Sequence, residues 1–285
     1  MVCKMPCAGE YNGPSLKGGA PMKAAAVGFT CIDVYEDGRR YATGNGVNVL
    51  FHLKKMRKDL EGAVVTAVGK DDYGQLMLDT CRDHGLDTSH ISVVEPGQTA
   101  FVEMRMNGRD RIHHRTERGV ITDYTLSPPD LAFVQQQDLI HTDLSWKVTA
   151  HLPAMREKGA KIYFDFSKRW QHPDVEEICR NINYGIFSFE ENTPDVAALL
   201  QKGCALGAEI LIATFGDQGS MACDGQRMYY QDIVPCKALE NTCGAGDSFG
   251  AGFLNGLFSG QDIQTSMRMG AELAAQVVGI FKPYF

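Results

Sequence analysis

From Met22 onward, the sequence alternates short apolar runs with longer segments whose apolar residues recur at helical spacing. Such runs are typical of strands, and a repeated order of strand and helix favours a mainly parallel sheet covered by helices. The alternation predicts strands at residues 24–32, 63–68, 139–142, 162–166, 184–189 and 209–214. It predicts helices at residues 46–60, 73–84, 147–158, 173–181 and 194–202. The predicted fold class is therefore α/β.

Two segments do not follow this alternation. Residues 98–115 resemble a pair of strands broken by Asn107-Gly108, a dipeptide favoured in tight hairpins because both central residues adopt positive φ. Asp37-Gly38, shortly after the first predicted strand, is a candidate turn for a second ribbon. The two ribbons predict a small sheet apart from the main one. We expect this sheet to form a lid built from about residues 35–42 and 98–115.

Length and charge narrow the class of ligand. A chain of 285 residues fits one large domain with an accessory element. Its net charge of −7 lacks the basic excess typical of nucleic-acid-binding proteins, so we expect a small-molecule ligand and no nucleic acid. The apolar runs fall short of the roughly 18 residues that a membrane span requires. We therefore expect no membrane partner.

The cysteines and the first residues bear on the compartment and on the extent of the domain. The nine cysteines are odd in number and form no C-x-x-C motif, which favours reduced thiols and a cytoplasmic location. Residues 1–21 contain several glycines and prolines and show no periodicity. We expect them to be a flexible or non-native leader, and residues 22–285 to form the domain.

A run of small residues at 241–253 opens a predicted helix late in the sequence. Gly244 and Gly246 let the backbone approach a ligand closely, and the N–H groups of a first helical turn attract an anion. Asp247 would repel a phosphate there unless it has another task, such as accepting a proton from an attacking hydroxyl. The alternative is that Asp247 caps the helix while the glycines permit tight packing. The spacing leaves both interpretations open.

Several motifs resemble those of one enzyme family. The run Gly244-Ala245-Gly246-Asp247-Ser248-Phe249 resembles the G-A-G-D-S/T-F signature of the ribokinase-like (PfkB) carbohydrate kinases. Residues 28–33 resemble the first strand of that family with its closing aspartate, and residues 43–48 resemble its G-G-x-x-x-N element. Residues 214–219 resemble its T-x-G-x-x-G strand. The motifs follow the family order, so the resemblance covers nearly all of residues 22–285.

The resemblance implies a three-layer α/β sandwich and ATP-dependent transfer of a phosphoryl group to a sugar, with Mg²⁺ accompanying the nucleotide. It implies that Asp247 is the general base and that the amides of Gly244, Ala245 and Gly246 form an anion hole. The implied sugar-binding residues are Asp33, Gly44, Asn45 and Asn48. The implied nucleotide side includes Thr214, Gly216, Gly219 and Ser188, and Glu191 is the implied metal ligand.

Three positions depart from the family pattern. Thr43 replaces the first glycine of the sugar-side pair, and Ser188 replaces the asparagine of an N-x-x-E motif that ends in Glu191. Asn241 stands where many relatives have an aspartate that helps to hold a monovalent cation, so activation by such a cation stays open. Ala275 lies in an apolar segment, residues 273–280, whose small residues leave room for an adenine ring, with ordinary packing as the alternative.

Five strings resemble the members of the family that act on fructoselysine, an amine-linked fructose. They are residues 32–35, 44–49, 68–74, 164–167 and 246–249. This resemblance implies phosphorylation of O6, a primary hydroxyl, on fructoselysine or a related fructosamine. The alternatives are a kinase for a plain ketose, ribose or a nucleoside, and a non-catalytic sugar-binding protein on the same scaffold.

The predicted lid also carries a cluster of basic residues. Arg105, Arg111 and Arg115 are candidates to bind the carboxylate of an amino-acid conjugate, because a guanidinium group offers a bidentate contact. The alternative is a solvated hairpin edge, where charges prevent the addition of further strands. The lid is in addition a candidate surface for a homodimer.

Overall fold

The computed structural model describes residues 21–107 and 110–285; the side chains of residues 107, 110 and 111 lie outside the described part, as does the predicted leader up to residue 20. The described strands are β1 (Lys23–Val27), β2 (Cys31–Tyr35), β3 (Arg40–Thr43), β4 (Glu61–Gly69), β5 (Ile91–Val94), β6 (Phe101–Asn107), β7 (Asp110–Glu117), β8 (Leu139–Asp143), β9 (Lys161–Ser167), β10 (Tyr184–Ser188), β11 (Ile210–Thr214), β12 (Ser220–Cys223) and β13 (Met228–Gln231). The described α-helices are α1 (Asn45–Met56), α2 (Asp72–Asp83), α3 (Pro128–Val134), α4 (Leu152–Arg156), α5 (Val175–Asn181), α6 (Pro194–Leu206), α7 (Ala245–Phe258) and α8 (Ile263–Val277). Within these residues, no helix combines the length and apolar character that crossing a membrane requires.

Nine strands form one sheet in the order β13-β12-β11-β10-β9-β8-β1-β4-β5. Neighbours from β11 through β5 are parallel, and β12 and β13 extend the sheet in antiparallel fashion. The predicted α/β class with a mainly parallel sheet is confirmed. Because parallel strands end at the same edge of a sheet, the loops after β1, β8, β9, β10 and β11 meet there.

Alternate residues of the central strands face two apolar cores, which makes the domain a three-layer sandwich. On β1, Ala24 and Ala26 belong to the core that contains α1, α2, α7 and α8. Ala25 and Val27 belong to the second core, which contains residues of α3, α4, α5 and α6. Burial on both faces is typical of parallel strands, and it explains why their sequences are continuous apolar runs.

A second sheet has four strands in the order β3-β2-β6-β7 and corresponds to the predicted accessory element. The pairs β2–β3 and β6–β7 are antiparallel hairpins, and β2 joins β6 in parallel. The second hairpin pairs as far as Asn107 and Asp110, and the residues between them lie outside the described part. This small sheet is confirmed, although its first hairpin begins at Cys31, earlier than the predicted residues 35–42.

The predicted first strand, residues 24–32, is wrong because it consists of two strands in different sheets. β1 ends at Val27, and β2 begins at Cys31. Between them, Gly28 has a φ of 114°, and a Cβ atom there would lie 2.1 Å from the indole nitrogen of Trp146. Both the backbone angle and the lack of space require glycine at this turn.

Three predicted helices also differ from the structure. The first, predicted to run to residue 60, ends at Met56. Residues 147–158 form a 3₁₀ turn at Thr149–His151 followed by the short helix α4, whose first turn contains Pro153. The helix predicted to end at residue 202 continues to Leu206 and ends at Gly207, which has a φ of 138°. Gly203 is not a stop signal, since a Cβ atom there would lie 2.3 Å from Leu211. It permits close packing of α6 on the sheet.

Candidate active site

Polar side chains collect at the edge where the parallel strands end. Asp143 is the last residue of β8, and Asp165 lies near the end of β9. Ser188 and Thr214 are the last residues of β10 and β11. Crevices at this edge are the usual ligand-binding positions of open α/β sheets. The edge is therefore the candidate active site.

The first turn of α1 brings two asparagines to these acids. Asn45 Nδ2 donates to Oδ2 of Asp165 at 2.6 Å, and Asn48 Nδ2 donates to Oδ2 of Asp247 at 2.8 Å. The asparagines are three positions apart and therefore share one face of the helix. Gly44 precedes them as the N-cap of α1, and a Cβ atom there would lie 2.7 Å from the backbone oxygen of Phe29. The predicted sugar-side element thus contacts the predicted base.

Asp247 lies in the first turn of α7 and is surrounded by acidic groups. Exclusion of water raises the pKa of its carboxyl to about 8, and the negative charges of Asp165, Asp143 and Asp33 add to the rise. Asn48 opposes the rise in this pKa because its amide donates to the carboxylate. A carboxyl group that titrates near neutral pH is suited to proton exchange with a hydroxyl group.

Two of these acids were given no role by the sequence. Burial raises the pKa of Asp165 to about 6, and the charge of Asp143 contributes to the rise. Burial likewise raises the pKa of Asp143. Ser167 holds Asp165 from the other side with its backbone N–H, 2.6 Å from Oδ1, and adopts a φ of 50° that is uncommon for a non-glycine residue. The sequence did contain one signal for Asp143 and Asp165, namely their position at the ends of two predicted strands.

Asp33 is fixed within the small sheet. It is 6% exposed, and Oδ1 accepts a hydrogen bond from the Thr43 hydroxyl at 3.1 Å. Thr43, the replacement for the first family glycine, therefore orients this carboxylate from the neighbouring strand. Burial raises the pKa of the adjacent Cys31 thiol, so this thiol stays protonated. The sugar-binding role of Asp33 stays a prediction.

The turn before α7 has a backbone conformation that glycine favours. Gly244 has a φ of 77°, and a Cβ atom there would lie 2.4 Å from the Pro283 carbonyl oxygen. Gly246 is open, with no atom within 4 Å of a Cβ position. The Ala245 N–H donates to the carbonyl of Thr242 at 3.3 Å. The predicted anion-hole residues thus lie together at the positive end of α7, where an anion is stabilised.

A segment after α8 connects this turn to the small sheet. Asn241 is fully buried; its Nδ2 donates to the Phe281 carbonyl at 2.6 Å, and its Oδ1 accepts from the Cys243 N–H at 3.0 Å. The ring of Phe281 packs edge-on against Tyr35, with ring centroids 5.2 Å apart. The guanidinium of Arg39 lies 3.5 Å from the centroid of the Phe281 ring. Phe281 therefore contacts both Asn241, just before the turn, and the small sheet, through Tyr35 and Arg39.

The residues predicted for the nucleotide lie on β10, β11, the following turn and α8. Ser188 and Thr214 are direct neighbours in the register of the two strands. Gly216 and Gly219 follow with φ angles of 57° and 86°. Ala275 is partly exposed on α8, and Glu191 is exposed in the loop between β10 and α6. Among the described residues, no cluster of three or more His, Cys, Asp or Glu side chains is arranged to hold a metal ion.

The predicted carboxylate-binding arginines are not brought to Asp33. Residues paired in a sheet share a face, and Asp33 is paired with Val102, whereas Arg105 and Arg115 occupy positions on the other face. Both arginines form ion pairs with nearby glutamates. The side chain of Arg111 lies outside the described residues.

Comparisons with known proteins show the family and the fold of this chain. A family model described as pfkB family carbohydrate kinase matches residues 30–282. The fructoselysine 6-kinase of Shigella flexneri is 30% identical over 255 residues, which cover 89% of this chain and 96% of that protein. A fructosamine kinase of Bacillus subtilis (strain 168) is 30% identical over 267 residues, which cover 91% and 92%. Arabidopsis thaliana ribokinase, solved with ribose and ATP, has a TM-score of 0.78 at 19% identity and covers 92% of this chain and 94% of its own.

The fold and these matches define an ATP-dependent sugar kinase with the ribokinase-like architecture. Within this class, the chain belongs to the pfkB family of carbohydrate kinases. The family match confirms the resemblance seen in the sequence. The individual site residues stay predictions.

Proposed function

We propose that this kinase transfers the γ-phosphoryl group of ATP to O6 of fructoselysine or a related fructosamine. The observation that best supports catalysis by Asp247 is its hydrogen bond with Asn48. This bond joins a residue predicted to bind the sugar to a carboxyl group whose pKa is raised to about 8. The two relatives at 30% identity support the substrate class. The acids at the sheet edge also suit the protonated amine of a fructosamine, since opposite charges attract.

In this mechanism, Asp247 accepts the proton of the O6 hydroxyl while Asn48 holds the carboxylate in place. Phosphoryl transfer depends mainly on positioning and on stabilisation of charge. The amides at Gly244, Ala245 and Gly246, at the positive end of α7, stabilise the negative charge of the transferred group. The remaining sugar contacts come from Asp33, Gly44 and Asn45.

The nucleotide lies on the opposite side of the transferred group. Its phosphates face Ser188, Thr214, Gly216 and Gly219, and its adenine ring lies beside Ala275. Mg²⁺ prefers oxygen ligands and is commonly bound by one or two carboxylates together with substrate phosphates. The exposed carboxylate of Glu191 fits such a shared site. When bound, the ion neutralises charge on the phosphates.

A substrate screen tests the proposal directly. ATP consumption is measured with fructoselysine, fructose, ribose and adenosine, and the highest kcat/KM is expected for fructoselysine. A preference for ribose, fructose or adenosine would favour the plain-sugar or nucleoside kinase alternative. Absence of turnover with all four would favour a non-catalytic sugar-binding protein.

Asp165→Asn is expected to move the rising limb of the pH profile of kcat/KM to lower pH. Asp247 must be deprotonated to act as a base, so activity rises as pH passes through its pKa of about 8 in the free enzyme. The charge of Asp165 is one cause of that raised pKa, and its removal lowers the pKa of Asp247. The profile with fructoselysine is compared with that of Asp79→Asn, an exposed carboxyl group on α2. An unchanged midpoint in Asp165→Asn would contradict the coupling.

We further propose that the kinase works without a monovalent cation. The neutral Asn241 amide already donates to the Phe281 carbonyl and accepts from the Cys243 N–H, so no carboxylate charge requires a cation there. Turnover in potassium chloride and in tetramethylammonium chloride is expected to differ by less than about twofold, a difference under 0.5 kcal/mol. Strong activation by potassium ions would overturn this expectation.

The small sheet is proposed to close over the sugar as a lid and to provide a homodimer surface. Ile112 on its second hairpin is 49% exposed and lies on the face away from Asp33, where it is the apolar side chain proposed for a dimer contact. Light scattering of the wild type and of Ile112→Lys tests this surface. A dimer mass in the wild type and a monomer mass in the variant are expected, and a wild-type monomer would contradict the dimer.

A further inference from the structure

Two arginines converge on Ser145, in the loop that follows β8. Arg118 Nη1 donates to the Ser145 carbonyl oxygen at 2.5 Å, and Arg169 Nη2 donates to the Ser145 hydroxyl at 3.3 Å. Both positive charges lower the pKa of Asp143 against the larger raising effect of burial. The arginines come from loops that are distant in sequence. Together they form a compact cationic site, which we call the Ser145 arginine pair.

The Ser145 arginine pair lies beside the sugar-side residues. The guanidinium of Arg118 lies 5.9 Å from the centroid of the Phe29 ring, and the backbone of Phe29 contacts Gly44, the N-cap of α1. Asp143, next to the pair, is close enough to Asp165 and Asp247 for its charge to raise both of their pKa values. The pair therefore borders the acidic end of the proposed sugar site.

The backbone that carries Arg118 is firmly placed. Gly119 follows with a φ of 52°, and a Cβ atom there would lie 2.0 Å from the backbone oxygen of Gln98. The next N–H, of Val120, donates to the same oxygen at 2.9 Å. A fixed backbone of this kind limits the entropy that Arg118 loses when it binds an anion.

Arg118 and Arg169 differ from the arginines of the hairpin in their ion pairing. Within the described residues, neither Arg118 nor Arg169 has a carboxylate within 4.0 Å, whereas Arg105 has one and Arg115 has two. Each guanidinium has five N–H donors, and each bond to Ser145 uses a single one. Donors remain for a bidentate contact with a carboxylate.

We propose that the Ser145 arginine pair binds the α-carboxylate of the amino-acid part of the substrate and so determines specificity for an amino-acid conjugate over a free sugar. This inference rests on the proposed function. The conjugate carries a cationic amine and an anionic carboxylate. The acids of the site face the amine, and the Ser145 arginine pair faces the carboxylate.

The experiment combines changes in the protein with a change in the substrate. The enzyme variants are Arg118→Ala, Arg169→Ala, the double variant and Arg118→Lys, with Arg82→Ala, on the exposed surface of α2, as the control. The substrates are fructoselysine, its α-carboxamide and fructose. For each variant, the ratio of kcat/KM for fructoselysine to that for the carboxamide is measured, together with the melting temperature.

The wild type is expected to prefer the carboxylate over the carboxamide by about tenfold or more, which corresponds to 1.4 kcal/mol. Each alanine variant is expected to reduce this preference about tenfold, chiefly through KM, while kcat/KM for fructose stays within about twofold. Arg118→Lys is expected to be intermediate, because it keeps the charge but loses the planar fork.

The outcomes separate the two proposals. If the wild type uses fructoselysine well and every variant keeps the same preference for fructoselysine over its carboxamide, the role of the Ser145 arginine pair is overturned. The proposed function then still stands. A loss of preference in Arg105→Ala or Arg115→Ala instead would assign the carboxylate to the hairpin. A wild type that ignores fructoselysine overturns both the substrate proposal and this inference.

Discussion

Asp247→Asn is expected to lower turnover with fructoselysine by a factor of about 10² to 10⁴, the usual range for loss of a general base. The amide is nearly the same size as the carboxyl group but cannot accept the O6 proton. ATP binding is expected to stay within about twofold, because the backbone amides of the turn are unchanged. Single-turnover rates and calorimetric titration with ATP measure the two effects separately.

Stability supplies the control for this variant. The folded-state pKa of Asp247, about 8, lies above the ordinary aspartate value of 3.8, so its ionisation opposes folding and stability falls as pH rises between these values. Asn removes that titration, and the melting temperature of Asp247→Asn at pH 8 is expected to equal or exceed that of the wild type. Near wild-type turnover in a folded variant would exclude Asp247 as the base.

Asp33→Ala is expected to reduce kcat/KM for the sugar about 10- to 150-fold, since a hydrogen bond to a charged group contributes roughly 1.5–3 kcal/mol. The KM for ATP is expected to change less than about twofold. The physical reason is that Asp33 is held by Thr43 on the small sheet, whereas Ser188 and Thr214, predicted for the nucleotide, end strands of the main sheet. Initial rates over both substrates give the two constants.

Two further variants serve as controls for Asp33→Ala. Asp33→Asn keeps an acceptor for the Thr43 hydroxyl and separates the loss of sugar binding from the cost of leaving that hydroxyl without its partner. Asp37→Ala changes an exposed aspartate in the turn of the same hairpin, ion-paired with Arg39, and is expected to leave sugar use unchanged. Equal losses for sugar and ATP in Asp33→Ala would contradict its assignment.

The main sheet could be predicted because its parallel strands are buried on both faces and appear as apolar runs. The first run misled for a physical reason: it continues through Gly28, and the turn there depends on Trp146, which is more than a hundred residues away. The prediction that a helix ends before Gly203 was wrong for a different reason. The lack of a side chain at Gly203 serves packing against Leu211 rather than the end of a helix.

The motif residues of the candidate site were identifiable from the sequence, but the acids around them were not assigned. Asp165 lies 120 positions from Asn45, and only the folded sheet brings them to 2.6 Å. The hairpin arginines show a second limit of sequence reasoning. Their charge was evident, but the strand register that places Arg105 on the face away from Asp33 was not.

The contacts of Phe281 bear on how much ATP would be hydrolysed when no sugar is bound. Its ring is held by Tyr35 and Arg39 of the sheet that carries Asp33, its carbonyl is bound by Asn241, and two residues later Pro283 contacts Gly244. Under the proposed function, a rotation of the small sheet would be transmitted through a few backbone bonds to the turn that is proposed to face the phosphates. The two halves of the site would then adopt their geometry together, and hydrolysis of ATP by water would be suppressed until an acceptor is enclosed.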